Sequence, residues 1–214
     1  MNPALEIGGQ RIRPKTLCPH RTEIARQATS VPLLDVDQVI SEIQNTLSMK
    51  ALLSLGSNLE NPVSQVNKAI DAIAHQDAIS LIAKASLYSS SPRGPQDQDD
   101  YVNSAVLIDT ALSPEHLLNV VQRIEKDFGR IKTRVWGERV IDIDIVFYGT
   151  ETLRLTEPDL QIPHKEALIR DFVLVPCIEI APNWKLPDGS GLQQHLEHCV
   201  THKLSKIDRN LACS

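Results

Sequence analysis

An α+β fold with the order β-α-β-β-α-β is what this 214-residue sequence predicts, and three observations predict it. Two amphipathic helical stretches each begin with a capping residue followed by proline. Apolar, β-branched runs stand before, between and after them. The run 136-WGERVIDIDIVFYG-149 closes the series, carrying two aspartates inside otherwise apolar sequence.

The first strand is 51-ALLSLGSN-58, a short buried run that enters a Gly-Ser-Asn turn. Asn61 then caps a helix and Pro62 opens it; Val63, Val66, Ile70 and Ile73 recur on one face. The stretch 79-ISLIAKASLYS-89 reads as a second strand, and 90-SSPRGPQDQDD-100 as a loop long enough to carry function. A third strand follows in 101-YVNSAVLIDTAL-112. Ser113 caps the second helix, Pro114 opens it, and Leu117, Leu118, Val121, Ile124 and Phe128 line its inner face before Gly129 ends it. A second loop, 130-RIKTRVWGERV-140, feeds the final strand. This order is the split βαβ of ferredoxin-like folds. The tail past residue 150 is expected to add a helix and short strands. Residues 1–48 stand apart as an N-terminal extension of unassigned role, with one short helix expected in 35-DVDQVISEIQNTL-47.

Bulk composition removes several function classes. The formal net charge is −5 and no long basic run occurs, which disfavours a nucleic-acid surface. No apolar segment reaches bilayer length, and the N-terminus lacks a signal-peptide core. Four scattered cysteines without a CxxC pair read as reduced thiols, so a cytoplasmic protein is expected.

The aspartates pose the functional question. Residues two apart on a strand share a face and stand roughly 7 Å apart. If Ile141, Ile143 and Ile145 face the core, Asp142 and Asp144 face the other way. A solvated outer sheet face would account for them, and so would a divalent cation between two mutually repelling carboxylates. Arg130, Lys132, Arg134 and Arg139 crowd the preceding loop, together with Trp136. Acids that hold Mg²⁺ beside cations that hold phosphate are two halves of a phosphoryl-transfer site. No P-loop motif is present. A rival constellation is 195-HLEHCVTH-202, where His195, His198, Cys199 and His202 could share a helical face and bind zinc, or be ordinary surface residues.

From about residue 50 to 200 the chain resembles the 6-hydroxymethyl-7,8-dihydropterin pyrophosphokinases of folate biosynthesis. The resemblance is carried by GSNL at 56–59, GPQDQxDYxN at 94–103, QRIE at 122–125 with GR at 129–130, WGxRxxDxDI at 136–145 and PHxxxxxRxFVLxP at 163–176. It implies a ferredoxin-like α+β core, residues 49–214 as the pyrophosphokinase domain, and transfer of pyrophosphate from ATP to the pterin with release of AMP. It further implies that Asp142 and Asp144 hold two Mg²⁺ ions, and that Arg130 and Arg139 engage phosphates from a mobile loop that includes Trp136. Gln122, Glu125, Ile145, His164 and Arg170 match ATP-side positions, and Ser90, Tyr101, Asn103 and Phe172 match the pterin side. Asp144 is the one candidate for a general base. ATP and the pterin are then the partners of a monomeric enzyme, with neither nucleic acid nor membrane involved. A degenerate binding module of the same fold, without turnover, is the alternative. Val135, Lys165 and Arg93 depart from the residues usual at their positions, and the loop before the last strand is one residue short.

Overall fold

The computed structural model describes residues 48–129 and 137–208. The helix expected in 35–47 and the loop residues Arg130, Lys132, Arg134 and Trp136 lie outside the described residues.

The elements are β1 (Met49–Ser57), α1 (Pro62–Ala74), β2 (Ile79–Lys84), β3 (Tyr88–Ser90), β4 (Tyr101–Thr110), α2 (Pro114–Asp127), β5 (Asp142–Tyr148), β6 (Leu153–Leu155), β7 (Leu160–Ile162), α3 (Asp171–Ile180), α4 (Gln193–Leu196) and β8 (Ser205–Lys206). The expected helix starts are in place. Asn61 accepts a hydrogen bond from the Ser64 N–H at 3.1 Å, and Ser113 accepts one from the His116 N–H at 3.4 Å, each ahead of a proline. Gly129 takes φ +78° just past α2, a conformation that costs a side-chain-bearing residue more.

The sheet runs β5-β1-β4-β3-β8, with β2 also paired to β4. β1 lies antiparallel to both β4 and β5, the arrangement of the ferredoxin-like core. The expected strand 79–89 is two strands rather than one. β2 pairs with the later half of β4 and β3 with its start. Between them the Ser86 N–H turns away to the Glu179 carboxylate at 2.9 Å, so pairing is interrupted there.

Both faces of the sheet are covered, on opposite sides of the alternating strand pattern. Val66, Ile70 and Ile73 of α1 and Leu117, Val121 and Ile124 of α2 pack with Leu53, Leu55, Val106, Ile141, Ile143 and Ile145. Fully burying one such side chain is worth about 1.5–3 kcal/mol, so this layer dominates the stability of the fold. On the other face Val173, Leu174 and Cys177 of α3 cover Leu52, Leu107 and Phe147. The solvated outer face that could have explained the aspartates is therefore not what the fold provides. α3 covers only part of that face, and the remainder is the floor of a cavity.

β6 and β7 form a separate two-stranded sheet, and β8 returns to pair with β3. The region of the four candidate zinc ligands is not one helix, because α4 ends at Leu196. His195 bonds Ser190, Cys199 contacts the Leu168 and His195 carbonyls, and His202 is buried against Asp171. Among the described residues no group of three or more His, Cys, Asp or Glu is arranged to hold a metal ion. The chain's turns separate these side chains, and the zinc reading is withdrawn.

Candidate active site

The cavity, of about 240 Å³, opens on the uncovered part of the sheet. Its floor follows from strand register. Ser54 of β1 lies between Asp144 of β5 and Ala105 of β4, and Gly56 lies between Asp142 and Asn103. Alternation places all of these on the face away from α1 and α2. Small residues on β1 keep the floor low. A Cβ on Gly56 would stand 3.4 Å from Asn103 Oδ1 and 3.8 Å from Tyr101 Cδ1, filling space beside two of the expected pterin residues.

One end of the cavity is charged. Arg139 Nη1 pairs with Asp142 Oδ2, while Glu166 is shared by Arg93, at 2.9 Å, and Arg170. Burial first, and the neighbouring Asp142 charge second, push the Asp144 carboxyl above its ordinary value; His164, Arg170 and Arg139 only partly oppose them. Partial burial also works against the Glu166 charge, but Arg170 and Arg93 outweigh it and hold that carboxyl below its usual range. The Arg170 Nε is buried without a hydrogen-bond partner. An orphaned guanidinium donor in a cavity is suited to an incoming anion oxygen.

The donors suit magnesium. Asp142 and Asp144 offer hard carboxylate oxygens from one strand face, and a cation there would relieve the strain that raises Asp144. Two carboxylates do not complete a shell, which fits an ion that takes its remaining ligands from water and substrate phosphates.

The lining also includes residues suited to a flat polar ring. Asn103 is 4% exposed and donates from Nδ2 to Ser90 Oγ at 2.8 Å, which leaves its amide oxygen for a ligand. The Tyr101 hydroxyl donates to the Gly137 carbonyl at 2.8 Å. Phe172 enters at the start of α3, with the Arg170 guanidinium 5.6 Å from its ring centroid.

Of the residues expected from the sequence, Ser90, Tyr101, Asn103, Arg139, Asp142, Asp144, His164, Arg170 and Phe172 come together around this cavity. Three do not line it. Ile145 belongs to the helix-side core, where strand alternation sends it away from the aspartates. Glu125, buried in α2, accepts the Ile143 N–H at 2.8 Å and so holds β5 from behind. Gln122 is exposed on the same helix. Arg130 and Trp136 lie outside the described residues.

Sequence reading missed Arg93 and Glu166 as a linked pair with Arg170, because nothing local marks residues that meet only in the fold. It also missed the role of Asn58, whose GSNL motif was the available signal. Asn58 is 2% exposed. Its Oδ1 accepts the Arg139 N–H at 2.9 Å, and its Nδ2 donates to Gln98 Oε1 and to the Asp99 carbonyl, both at 3.1 Å. One side chain thus ties the end of β1 to both loops that border the cavity.

Known proteins share both the sequence and the fold. Residues 52–182 match the family described as 7,8-dihydro-6-hydroxymethylpterin-pyrophosphokinase. A 2-amino-4-hydroxy-6-hydroxymethyldihydropteridine pyrophosphokinase of Haemophilus influenzae is 42% identical over 158 residues, covering 74% of this chain and 98% of that protein. The Pseudomonas aeruginosa protein of the same name is 40% identical over 158 residues, covering 74% and 96%. In fold, the chain is similar to wild-type Plasmodium falciparum HPPK-DHPS crystallised with pteroate, at a TM-score of 0.56 and 14% identity. That match covers 70% of this chain and 42% of the Plasmodium chain, so this chain spans well under half its length. With the family pattern running from within β1, through the cavity, to the end of α3, the chain belongs to the 7,8-dihydro-6-hydroxymethylpterin-pyrophosphokinase family.

Proposed function

We propose that this chain transfers the pyrophosphoryl group of ATP to the hydroxymethyl oxygen of 6-hydroxymethyl-7,8-dihydropterin, releasing AMP, as a step of folate biosynthesis. The observation that carries this reading is one cavity with two chemically distinct ends. Paired carboxylates and arginines occupy one, and Tyr101, Asn103 and Phe172 the other.

The reaction joins the hydroxyl oxygen to the β-phosphorus and breaks the bond to the oxygen bridging the α- and β-phosphates. That oxygen leaves with its electron pair as part of AMP, and the hydroxyl proton is lost. Asp142 and Asp144 are the residues that would hold magnesium, with two ions as our reading. Bound there, magnesium supplies charge neutralisation on the phosphate oxygens. Arg139 and Arg170 add positive charge where negative charge spreads in the transition state. Asp144 stands beside this chemistry as the candidate acceptor of the hydroxyl proton. At the pterin end, Tyr101 and Phe172 offer ring faces and edges to a flat heterocycle, and Asn103 offers an acceptor to its polar rim.

The resemblance carries the remaining assignments. Arg130 and Trp136 would close over the phosphates, excluding water that would otherwise hydrolyse ATP. Gln122, Glu125, Ile145 and His164 would serve the ATP side, with Glu125 and Ile145 acting through the backbone of β5. A monomeric, cytoplasmic enzyme is proposed; among the described residues no helix is long and apolar enough to cross a membrane. A binding module without turnover is disfavoured, because relatives 40–42% identical to this chain are named as pyrophosphokinases. Incubation with ATP, Mg²⁺ and the dihydropterin should yield AMP and the pterin diphosphate. ADP as the product would mean γ-phosphoryl transfer and would overturn the proposal.

A further inference from the structure

Residues 200–206 do not line the cavity, but they hold residues that do, and His202 is the one with the most contacts to them. Neither His202 nor Asp171 lines the cavity, yet each grips residues that do. Both are nearly buried, at 6% and 9% exposure. Asp171 Oδ2 accepts the His202 backbone N–H at 2.9 Å, and Asp171 Oδ1 lies 2.7 Å from His202 Nδ1. The same Oδ1 accepts the Phe172 N–H at 2.8 Å. The imidazole and the Phe172 ring form a T-shaped pair, with centroids 4.8 Å apart and planes at 84°. On the loop side the His202 carbonyl accepts both the Ser91 N–H, at 2.8 Å, and the Ser91 hydroxyl, at 3.0 Å. Beyond it, β8 hydrogen-bonds to β3, the strand that carries Ser90.

The need of a first-turn N–H of α3 for an acceptor would explain the bond from the Phe172 N–H to Asp171. It does not require an imidazole packed perpendicular to a cavity-lining ring, nor a double grip on Ser91. A ring held in place before its ligand arrives saves the cost of ordering it on binding.

We propose that His202 is a positioning residue of the pterin subsite. Bound to Asp171, it presets the Phe172 ring, and residues 200–206 are thereby part of that subsite. This rests on the pterin reading of Tyr101, Asn103 and Phe172.

His202→Ala should raise the KM for the dihydropterin by up to about tenfold while leaving kcat and the KM for ATP nearly unchanged. His202→Asn keeps a polar group within reach of Asp171 but loses the ring, and His202→Phe keeps the ring edge but loses the donor. Each should fall between wild type and alanine. Melting temperatures and direct calorimetric binding of the dihydropterin complete the set. If the alanine variant does not fold, the asparagine and phenylalanine variants carry the test. A lowered melting temperature with unchanged pterin affinity, or equal rises in both KM values, would overturn the positioning role. Wild-type protein that turns over nothing yet binds the pterin would overturn the proposed reaction and leave the calorimetric test standing.

Discussion

Arg139 Nη1 lies 2.5 Å from Asp142 Oδ2, three residues along the same chain segment. The arginine expected to stabilise phosphate charge therefore neutralises one of the two carboxylates expected to hold magnesium. On the proposed reading, magnesium and ATP phosphates would compete with this ion pair for Asp142 and Arg139. Arg139→Ala should lower kcat by about 10²–10³-fold, with a smaller rise in the KM for ATP. The magnesium concentration giving half-maximal rate should not increase, because Asp142 loses its competitor. Steady-state kinetics over a magnesium series would check both statements; an unchanged kcat with only a raised KM would make Arg139 a ground-state binder.

Asp142→Asn and Asp144→Asn should each reduce turnover by at least about 10²-fold, since several kcal/mol of charge stabilisation would depend on the ion proposed to bind them. The fold should persist in both, because these side chains belong to the cavity and not to either apolar layer. Circular dichroism alongside an AMP assay separates the two effects. Near-normal activity at modest Mg²⁺ would remove that residue from metal binding.

Asn58→Ala removes three hydrogen bonds from a nearly buried side chain and leaves their partners short. The expected cost is about 1–3 kcal/mol, visible as a melting point lower by several degrees. Turnover should fall as well, because the Arg139 N–H loses its partner and only the bond from the Asn58 N–H to the Arg139 carbonyl still ties that backbone. Denaturation and kinetics on the same preparation would show whether the two losses occur together.

Glu179 supplies the pH dependence. Partial burial works against its charge, but hydrogen bonds from Lys206, the Ser86 N–H and hydroxyl, and Tyr88 hold the carboxyl at about 2, below the ordinary 4.5. An acid with a depressed folded-state value stabilises the fold above its unfolded value and stops doing so as pH falls through its folded value. The melting-temperature gap between wild type and Glu179→Gln should therefore be widest above pH 4.5 and shrink as pH falls toward about 2. A gap that stays constant over that range would show that the charge of Glu179 does not contribute.

A chain beginning at Met49, where β1 begins, should keep the melting temperature and turnover of the full chain. The family match starts at residue 52, and every site residue proposed above follows it. Loss of either property would show that residues 1–48 pack on the domain, with 35-DVDQVISEIQNTL-47 the segment most suited to do so.

How much could be read in advance depended on the range over which each signal acts. Caps at Asn61 and Ser113, the apolar faces of α1 and α2, and the shared face of Asp142 and Asp144 are set by residues at most a few positions apart. Period and propensity act over that range, so these features were legible. The break between β2 and β3 was not, because it depends on Glu179, ninety-three residues from Ser86.

The sequence by itself thus determined the βαββαβ order, the strand face that carries the aspartates, and, through its long ordered motifs, the family. Tertiary structure alone decided that α3 covers part of that face and leaves a cavity over the rest. It also decided that Glu125 supports β5 from behind, and that Arg93 and Arg170 meet at Glu166. The grip of His202 on Ser91 spans 111 residues. Such contacts depend on strand register and on where the chain returns after each crossover. Local periodicity carries no record of either; they are fixed only when the two apolar faces of the sheet are buried together.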